Sequence, residues 1–289
     1  MKTLKLFLSL FLFSSFLYSQ PKGKLFIIGG GTVSGYMIDK YVELAGGKNS
    51  NFLIVPMASG VPQQSASSFI KKLETAGCLK AEYLLCNKES ADADSNLMKL
   101  KNVTGIYFTG GDQSRLIAAL TGTKLLEGIR NIYKNGGVIG GSSAGAAVMS
   151  GMMLTGNELV NKDTVNAFNL IVKGNVQTVD GFGFINNAIV DQHFIKRKRM
   201  NRLLTLVLEN PKLVGIGIDE STAIIVNPDD TFEVIGESLV TVFDASKVKD
   251  IGEDKNNHIS ASDIRMHLLR DGDAYNIKSQ AVIHKAEKQ

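Results

Sequence analysis

Short apolar runs alternate with longer segments of helical periodicity along most of the chain. The runs are rich in β-branched and aromatic residues and end in glycine or a polar residue, which is typical of buried strands. Strands that alternate with helices in this way predict an α/β fold, whose parallel sheet is covered by helices on both faces. The predicted strands lie at residues 25–28, 52–55, 83–85, 105–108, 189–190, 214–218 and 222–226, and the predicted helices at 35–45, 65–76, 114–120, 124–135 and 196–208.

The pattern changes after residue 230. Short strands are predicted at 232–235, 239–243 and 266–269, and turns rich in Asp, Asn and Gly separate them. Closely spaced strands of this kind favour antiparallel pairing, so we expect an antiparallel C-terminal extension of the same domain. Residues 20–289 are therefore predicted to form a single domain.

The N-terminus has the features of a secretory signal peptide. Lys2 and Lys5 precede a short apolar run, and Ser19 offers a small residue at a cleavage site. As a helix the apolar run would span roughly 18 Å, against roughly 30 Å for the apolar core of a bilayer. We therefore predict a signal peptide over residues 1–19, a mature chain that begins near Gln20, a secreted or periplasmic location, and no membrane anchor after cleavage.

Charge and cysteine content exclude several function classes. Without Lys2 and Lys5 the chain carries 30 basic and 28 acidic residues, a net charge of +2, which argues against a nucleic-acid partner. With the predicted strand between them, Cys78 and Cys86 would lie roughly 26 Å apart, too far for a disulfide, and we predict that both are small buried residues. No cysteine–histidine cluster has the spacing of metal ligands, so we expect neither a metal nor another cofactor. The sequence leaves homodimer formation open.

The strongest candidate for chemistry is Ser143, inside a Gly-x-Ser-x-Gly motif at residues 141–145. An apolar run precedes it and small helix-forming residues follow it, which is the pattern of a nucleophile elbow, a sharp turn from strand to helix with serine at the corner. The N–H of Ala144 is the natural first donor to a developing oxyanion, and that of Gly111, on the loop after the preceding strand, is the best second one. A glycine-rich turn without chemistry is the alternative.

A serine nucleophile needs a base and a group that orients the base. Of the four histidines, only His193 follows a buried-looking strand and lies among polar residues. Asp219 and Glu220 end another predicted strand, and because successive strand positions face opposite ways, only one of them can point at His193. A structural histidine, and a turn or helix cap at the acidic pair, are the alternatives. The order Ser143, His193, Glu220 differs from that of α/β-hydrolases, in which the acid precedes the histidine.

Two other functional classes fit the sequence less well. The glycines at 29–31, followed by Gly35, form only a loose dinucleotide-binding fingerprint, and the next strand ends in Pro56-Met57 where an acid that binds ribose would be expected. A non-catalytic binding protein with the same cleft would be expected to lack the serine, the histidine or the acid, and none of them is missing.

Four motifs follow one another along the chain. They are Gly-Gly-Asp-Gln at 110–113, Gly-Ser-Ser-Ala-Gly-Ala at 141–146, Asp-Gln-His-Phe at 191–194 with three arginines behind it, and Gly-Ile-Asp-Glu-Ser-Thr-Ala at 217–223. In this order they resemble the cyanophycinase branch of the serine peptidase family that also contains the aspartyl dipeptidases. Supporting stretches extend the resemblance over nearly the whole mature chain. Ser142 and Asn201 depart from the family pattern, in which threonine and glycine are usual.

The resemblance implies a three-layer αβα sandwich with a mostly parallel sheet, related to class I glutamine amidotransferases and flavodoxin-like. In the family, the residues that match Ser143, His193 and Glu220 are the nucleophile, the base and the third member of a triad. The implied function is a secreted serine exopeptidase that hydrolyses cyanophycin, multi-L-arginyl-poly-L-aspartate, to β-Asp-Arg dipeptides through an acyl-enzyme. An α-aspartyl or isoaspartyl dipeptidase is the alternative. The resemblance assigns six residues to the substrate pocket: Gln113, Asp191, Gln192, Arg197, Arg199 and Arg202.

Helical periodicity ranks the three arginines differently. In a helix that begins at Lys196, the apolar stripe includes Met200 and the leucines that follow it. Arg197 would fall on that stripe, close behind His193, and Arg202 on nearly the opposite face. We therefore expect Arg197 to bind substrate carboxylates and Arg202 to matter little. Pairing of Arg197 with an internal acid is the alternative.

Overall fold

The computed structural model describes residues 20–160 and 168–283. The predicted signal peptide, residues 1–19, lies outside the described residues. The helices are α1 Gly35–Leu44, α2 Pro62–Thr75, α3 Asp94–Met98, α4 Gln113–Leu120, α5 Lys124–Lys134, α6 Ala144–Ala147 and α7 Met200–Glu209. The strands are β1 Lys24–Ile28, β2 Asn51–Val55, β3 Lys80–Tyr83, β4 Gly105–Phe108, β5 Val138–Ser142, β6 Met152–Glu158, β7 Val176–Asp180, β8 Ala188–Gln192, β9 Val214–Ile218, β10 Thr222–Val226, β11 Thr231–Gly236, β12 Val240–Asp244, β13 Ile251–Glu253, β14 Ile259–Ala261, β15 Arg265–Leu269, β16 Ala274–Asn276 and β17 Ala281–Ile283.

The larger sheet has the strand order β17-β16-β11-β10-β1-β5-β4-β2-β3. From β1 to β3 in this order, neighbouring strands are parallel, and from β1 to β17 they are antiparallel. The predicted α/β fold with an antiparallel C-terminal part is thus confirmed. Because the strands from β1 to β3 are parallel, the loops that follow β1, β4 and β5 lie at the same edge of the sheet.

Helices cover both faces of the larger sheet, and strand β1 shows why. Leu25 and Ile27 point into a core that includes α4 and α5, while Phe26 and Ile28 point into a core that includes α1 and α2. All four side chains are fully buried. A strand that is apolar on both faces needs a helical layer on each.

A second sheet has the strand order β15-β12-β9-β8. The sequence pattern does not separate β8 and β9 from the larger sheet, because a buried strand has the same apolar pattern in either sheet. One face of the second sheet joins the core of the larger sheet through Val190 and Ile216. The other face is covered by α7, whose Leu203 and Val207 pack on Gly215. Strands β8 and β9 are parallel, so their carboxyl ends also meet at one edge.

The two cysteines are free. Strand β3 ends at Tyr83 and not at residue 85. Both Cys78 and Cys86 are partly exposed, so the prediction that they are buried is wrong. The pattern failed here because the apolar residues next to Cys86 continue past the end of the strand.

Candidate active site

Ser143 lies at the corner between β5, which ends at Ser142, and α6, which begins at Ala144. Its backbone has φ 54° and ψ −110°, a conformation that costs a non-glycine residue on the order of 1–3 kcal/mol. The two glycines of the motif, on either side of Ser143, leave room for this turn. A Cβ on Gly141 would lie 2.4 Å from the carbonyl oxygen of Gly145, and a Cβ on Gly145 would lie 2.1 Å from a backbone oxygen of β4. The turn is the nucleophile elbow that the motif predicts.

A line of hydrogen bonds joins the three residues that the sequence singled out. Ser143 Oγ lies 2.8 Å from His193 Nε2, and His193 Nδ1 lies 2.7 Å from Glu220 Oε1. An ionised carboxylate can only accept, so Nδ1 of the neutral imidazole carries the proton and donates it to Glu220. Nε2 is then the acceptor for the Ser143 hydroxyl. This tautomer is the one in which a histidine can withdraw a proton from serine.

Both acids follow β9, which ends at Ile218, and the side chain of Asp219 is bonded to groups other than the histidine. Its carboxylate accepts hydrogen bonds from the backbone N–H of Lys196 (2.9 Å) and from the hydroxyl of Ser238 (2.8 Å). Asp219 therefore anchors the segment that follows His193, while Glu220 contacts the imidazole.

The surroundings of His193 favour its neutral form. Burial lowers the pKa of His193 below its ordinary value, and the charges of Arg197 and Arg199 lower it further. The hydrogen bond to Glu220 and the charge of Glu220 act in the opposite direction without reversing the shift. A neutral imidazole at neutral pH is what a general base requires.

The Gly110–Gly111 loop, which follows β4, lies beside the serine. A Cβ on Gly110 would be 3.3 Å from Ser143 Cβ and 3.9 Å from Ser143 Oγ. Gly111 has φ 139°, and a Cβ there would lie 2.0 Å from the carbonyl oxygen of Ala58, so only glycine fits. Ala144 is the first residue of α6, where an N–H has no acceptor within the helix. The two predicted oxyanion donors are thus on the two segments that border Ser143.

Behind His193, the predicted pocket residues form a buried polar network. Arg202 Nε donates to Asp191 Oδ2 (2.7 Å), and Arg202 Nη2 donates to Asp191 Oδ1. Arg199 Nη1 donates to the backbone oxygen of Gln192 (2.7 Å) and to its side-chain oxygen. Burial and the neighbouring Arg202 lower the pKa of Arg199 to about 10, which leaves its side chain charged at neutral pH.

The predicted positions of Arg197 and Arg202 are wrong. Helix α7 begins at Met200, not at Lys196. Arg197 is exposed in the turn before the helix, whereas Arg202 is 4% exposed and its guanidinium also lies 5.5 Å above the ring of Phe168. An internal acid, Asp191, pairs with Arg202, whereas the alternative expected such an acid to pair with Arg197. Both carboxylate oxygens of Asp191 accept from the Arg202 guanidinium. This pairing allows the burial of an arginine that helical periodicity alone would place at the surface.

Gln113 is the first residue of α4, and its side chain is tied to the strand β6. Its amide nitrogen donates to the backbone oxygens of Leu154 (3.1 Å) and Thr155 (2.8 Å). A Cβ on the neighbouring Gly156 would lie 4.0 Å from the amide nitrogen of Gln113 and 3.9 Å from Arg202 Nη1. Gln113 and the arginine network therefore border the same segment of β6.

The glycines at 29–31 border the site, and the sequence analysis assigned no individual role to any of them. Ser143 N–H donates to the carbonyl oxygen of Ile28 (3.1 Å), His193 N–H to that of Gly29 (2.8 Å), and Ser221 N–H to that of Gly30 (2.8 Å). The end of β1 thus contacts the backbone of the serine, the histidine and the residue after Glu220. Three consecutive glycines directly after a buried strand were the available signal. A Cβ on Gly30 would meet the His193 ring, so contact with the imidazole explains this glycine without a bound dinucleotide.

Two kinds of feature are absent from residues 20–160 and 168–283. No group of three or more His, Cys, Asp and Glu side chains is arranged to hold a metal ion. None of the helices there combines the length and the apolar character that are needed to cross a bilayer.

Comparisons with known proteins identify relatives of this chain. The profile of peptidase family S51 matches residues 25–235. The chain is 32% identical over 279 residues to a cyanophycinase from Synechococcus elongatus, covering 93% of this chain and 83% of that one. It is 33% identical over 266 residues to a cyanophycinase from Geminocystis herdmanii (strain PCC 6308), covering 89% and 95%. The crystal structure of a peptidase from an acI-B1 Actinobacterium matches with a TM-score of 0.64 and 25% identity, covering 89% of this chain and 98% of that one.

The buried pair predicts unequal effects on stability at two arginines. Arg202→Ala removes both hydrogen bonds from its guanidinium to the buried carboxylate of Asp191 and leaves that carboxylate with a longer ion pair to Arg199 (3.8 Å). We expect it to lower the free energy of unfolding by about 3 kcal/mol. Arg197→Ala removes an exposed side chain and should change it by no more than about 0.5 kcal/mol. Urea denaturation of both variants measures the difference, and equal losses would contradict the assignment of the pair.

The charges around the imidazole predict a shift in its titration. Arg197→Ala removes a positive charge that disfavours the imidazolium, so the pKa of His193 should rise. Arg270→Ala removes an exposed arginine from the turn before β16 and serves as the control. NMR titration of the His193 imidazole in each variant measures the pKa. A pKa that stays unchanged or falls in Arg197→Ala would show that this charge does not act on the ring.

Proposed function

The chain belongs to peptidase family S51, and we propose that it is an exported cyanophycinase that uses Ser143, His193 and Glu220 as a catalytic triad. A serine-type peptidase follows from the family and from the similarity to cyanophycinases. The observation that carries the finer proposal is the continuous hydrogen-bonded line from Ser143 Oγ through the imidazole to Glu220 Oε1. That line is the arrangement in which serine becomes a nucleophile at neutral pH.

In the proposed reaction, Ser143 Oγ attacks the carbonyl carbon of an aspartyl unit while its proton moves to His193 Nε2. The N–H groups of Gly111 and Ala144 donate to the oxyanion of the tetrahedral intermediate. The imidazolium then gives the proton to the leaving amine, and an acyl-enzyme remains on Ser143. Water, deprotonated by the same nitrogen, hydrolyses the ester and releases the β-Asp-Arg dipeptide. Glu220 holds the ring and stabilises its charged form throughout.

The charge near His193 supports an aspartyl substrate. Arg197 is exposed and its charge lowers the pKa of His193, so its cation lies near enough to act on the imidazole. Arg199 remains charged behind it. Carboxylates on either side of the scissile bond would find these guanidinium groups within reach. We propose that Arg197 and Arg199 contact the substrate, and that Asp191, Gln192, Arg202 and Gln113 hold the pocket's shape.

Export is part of the proposal because of the predicted signal peptide over residues 1–19. A secreted or periplasmic cyanophycinase would act on polymer outside the cytoplasm. N-terminal sequencing of the protein isolated from the secreted or periplasmic fraction tests this part, and a mature chain that begins near Gln20 is the expected result.

The substrate and the nucleophile are tested together. The purified protein is expected to release β-Asp-Arg from insoluble cyanophycin, and Ser143→Ala should lower the rate by a factor on the order of 10⁶ while the protein stays folded. Mass spectrometry of the soluble products identifies the dipeptide, and circular dichroism checks the fold. Turnover of α-aspartyl or isoaspartyl dipeptides without turnover of the polymer would identify the chain as a dipeptidase. Binding of the polymer without turnover of any of these substrates would leave a non-catalytic protein.

The adjacent acids give a matched pair for the third triad position. Glu220→Gln should lower kcat by a factor on the order of 10⁴, because an amide cannot hold the imidazole in the same tautomer or stabilise its charge. Asp219→Asn, at the next position along the chain, should keep kcat within about tenfold, because Asp219 acts on the backbone of Lys196 and not on the ring. Steady-state kinetics on the same polymer preparation compares them, and the reverse order of losses would reassign the third member.

A further inference from the structure

In the loop after β1, Gly30 packs closely against the imidazole of His193. A Cβ built on Gly30 would lie 2.3 Å from His193 Cε1, 2.6 Å from Nε2 and 2.8 Å from Nδ1. All three ring atoms belong to the edge that carries both nitrogens. The bare Cα of Gly30 is therefore in direct contact with the part of the ring that must face Ser143 on one side and Glu220 on the other.

The other glycines nearby meet different groups. A Cβ on Gly29 would run into the backbone oxygens of Ile218 and Asp219, and a Cβ on Gly31 would meet the Cβ of Glu220. A Cβ on Gly35, four residues further along, would have no heavy atom within 4 Å. Of these four glycines, only Gly30 is pressed against the imidazole.

The backbone of the same segment is fixed from both sides. Gly29 donates to the carbonyl oxygen of Thr222 (2.9 Å) and accepts from His193 N–H (2.8 Å), and Gly30 accepts from Ser221 N–H (2.8 Å). Gly30 itself has φ 121°, a conformation that L-residues rarely adopt. The loop therefore cannot retreat from the ring without breaking hydrogen bonds to both segments that carry the base and the acid.

We propose that Gly30 is a positioning residue for the reaction, one that holds the His193 imidazole in the orientation that serves Ser143 and Glu220 at once. The proposal rests on the proposed triad. Hydrogen bonds to a hydroxyl and a carboxylate leave the ring free to tilt about the line joining its two nitrogens. The Cα of Gly30, which packs against the ring, prevents this tilt on one side. A side chain at this position would push Nε2 away from Ser143 Oγ, so proton transfer would suffer while substrate binding would not.

Gly30→Ala tests the proposal, and Gly35→Ala is the control for a methyl group added where no side chain is contacted. We expect Gly30→Ala to lower kcat on cyanophycin by at least a hundredfold and to change KM by less than threefold, and Gly35→Ala to change neither. Unchanged kcat in Gly30→Ala, or a loss that lies entirely in KM, would overturn the proposal.

A substrate-free measurement separates this proposal from the proposed function. The rate at which diisopropyl fluorophosphate modifies Ser143, followed by mass spectrometry, depends on the base but not on cyanophycin. If Ser143 of the unmodified sequence does not react, the proposed triad fails. If it reacts and Gly30→Ala reacts equally fast, the triad stands and the role of Gly30 is refuted. A loss of at least tenfold in the modification rate of Gly30→Ala, with Gly35→Ala unaffected, is the expected result.

A double-mutant cycle covers the case in which Gly30→Ala does not fold. The left-handed backbone strain of alanine is the same in any background, whereas the clash with the ring disappears in His193→Ala. We expect Gly30→Ala to raise the unfolding equilibrium constant by a factor at least ten times larger in the presence of His193 than in the His193→Ala background, measured by urea denaturation. A Gly30→Ala protein that fails to fold only while His193 is present would give the same answer. Equal effects in both backgrounds would show that the glycine is required for a reason unrelated to the imidazole.

Discussion

The hydrogen bonds at the carboxyl end of β1 are the interaction on which the rest of the site depends. The serine comes from β5 of the larger sheet, and the histidine follows β8 of the second sheet. The acid follows β9, also of the second sheet, just before the chain crosses to β10 of the larger one. Three successive carbonyl oxygens, those of Ile28, Gly29 and Gly30, accept from the backbones of these segments. One strand end therefore sets the distance between the two sheets at the point where the hydrogen-bonded line from Ser143 to Glu220 passes from one to the other.

Three residues with a strained backbone lie at the same place. Ser143, His193 and Ser221 all have positive φ although none is glycine. Each of the three donates its N–H to the end of β1, which pins it in a conformation that a free chain would leave. The side chains of Asp219 and Asp191 stabilise the segment that follows His193. The first holds the backbone of Lys196 and the second neutralises Arg202, so the turn after His193 is fixed at both its start and its finish.

Much of the arrangement follows from local sequence, and the rest does not. The strands and the elbow were predictable because a buried strand needs an apolar run and a tight corner needs glycine, and both signals are local. Strand alternation predicted that only one of Asp219 and Glu220 faces His193, but it did not say which one. The assignment of β8 and β9 to a second sheet was not predictable, because apolar patterning records burial and not the identity of the neighbour. The start of α7 failed for a related reason. His193 and Lys198 adopt left-handed backbone conformations, and neither is a glycine, so the sequence does not mark the turn between them. The helical periodicity was therefore extended through this turn. As a result, Arg197 was expected to be buried and Arg202 exposed, and the structure shows the reverse.

The conformation of Ser143 has a consequence for how such a chain would evolve. A residue held at φ 54° and ψ −110° makes the folded protein less stable than it would be with glycine in its place. Selection for stability alone would therefore remove the hydroxyl at this position, and under the proposed function selection for turnover retains it. In a lineage that lost its need for the substrate, the first substitutions to spread at the corner would be those that relax it, and the resulting proteins would be inactive and more stable than their ancestor. Under the proposed function, the presence of serine at this corner therefore indicates recent selection for activity.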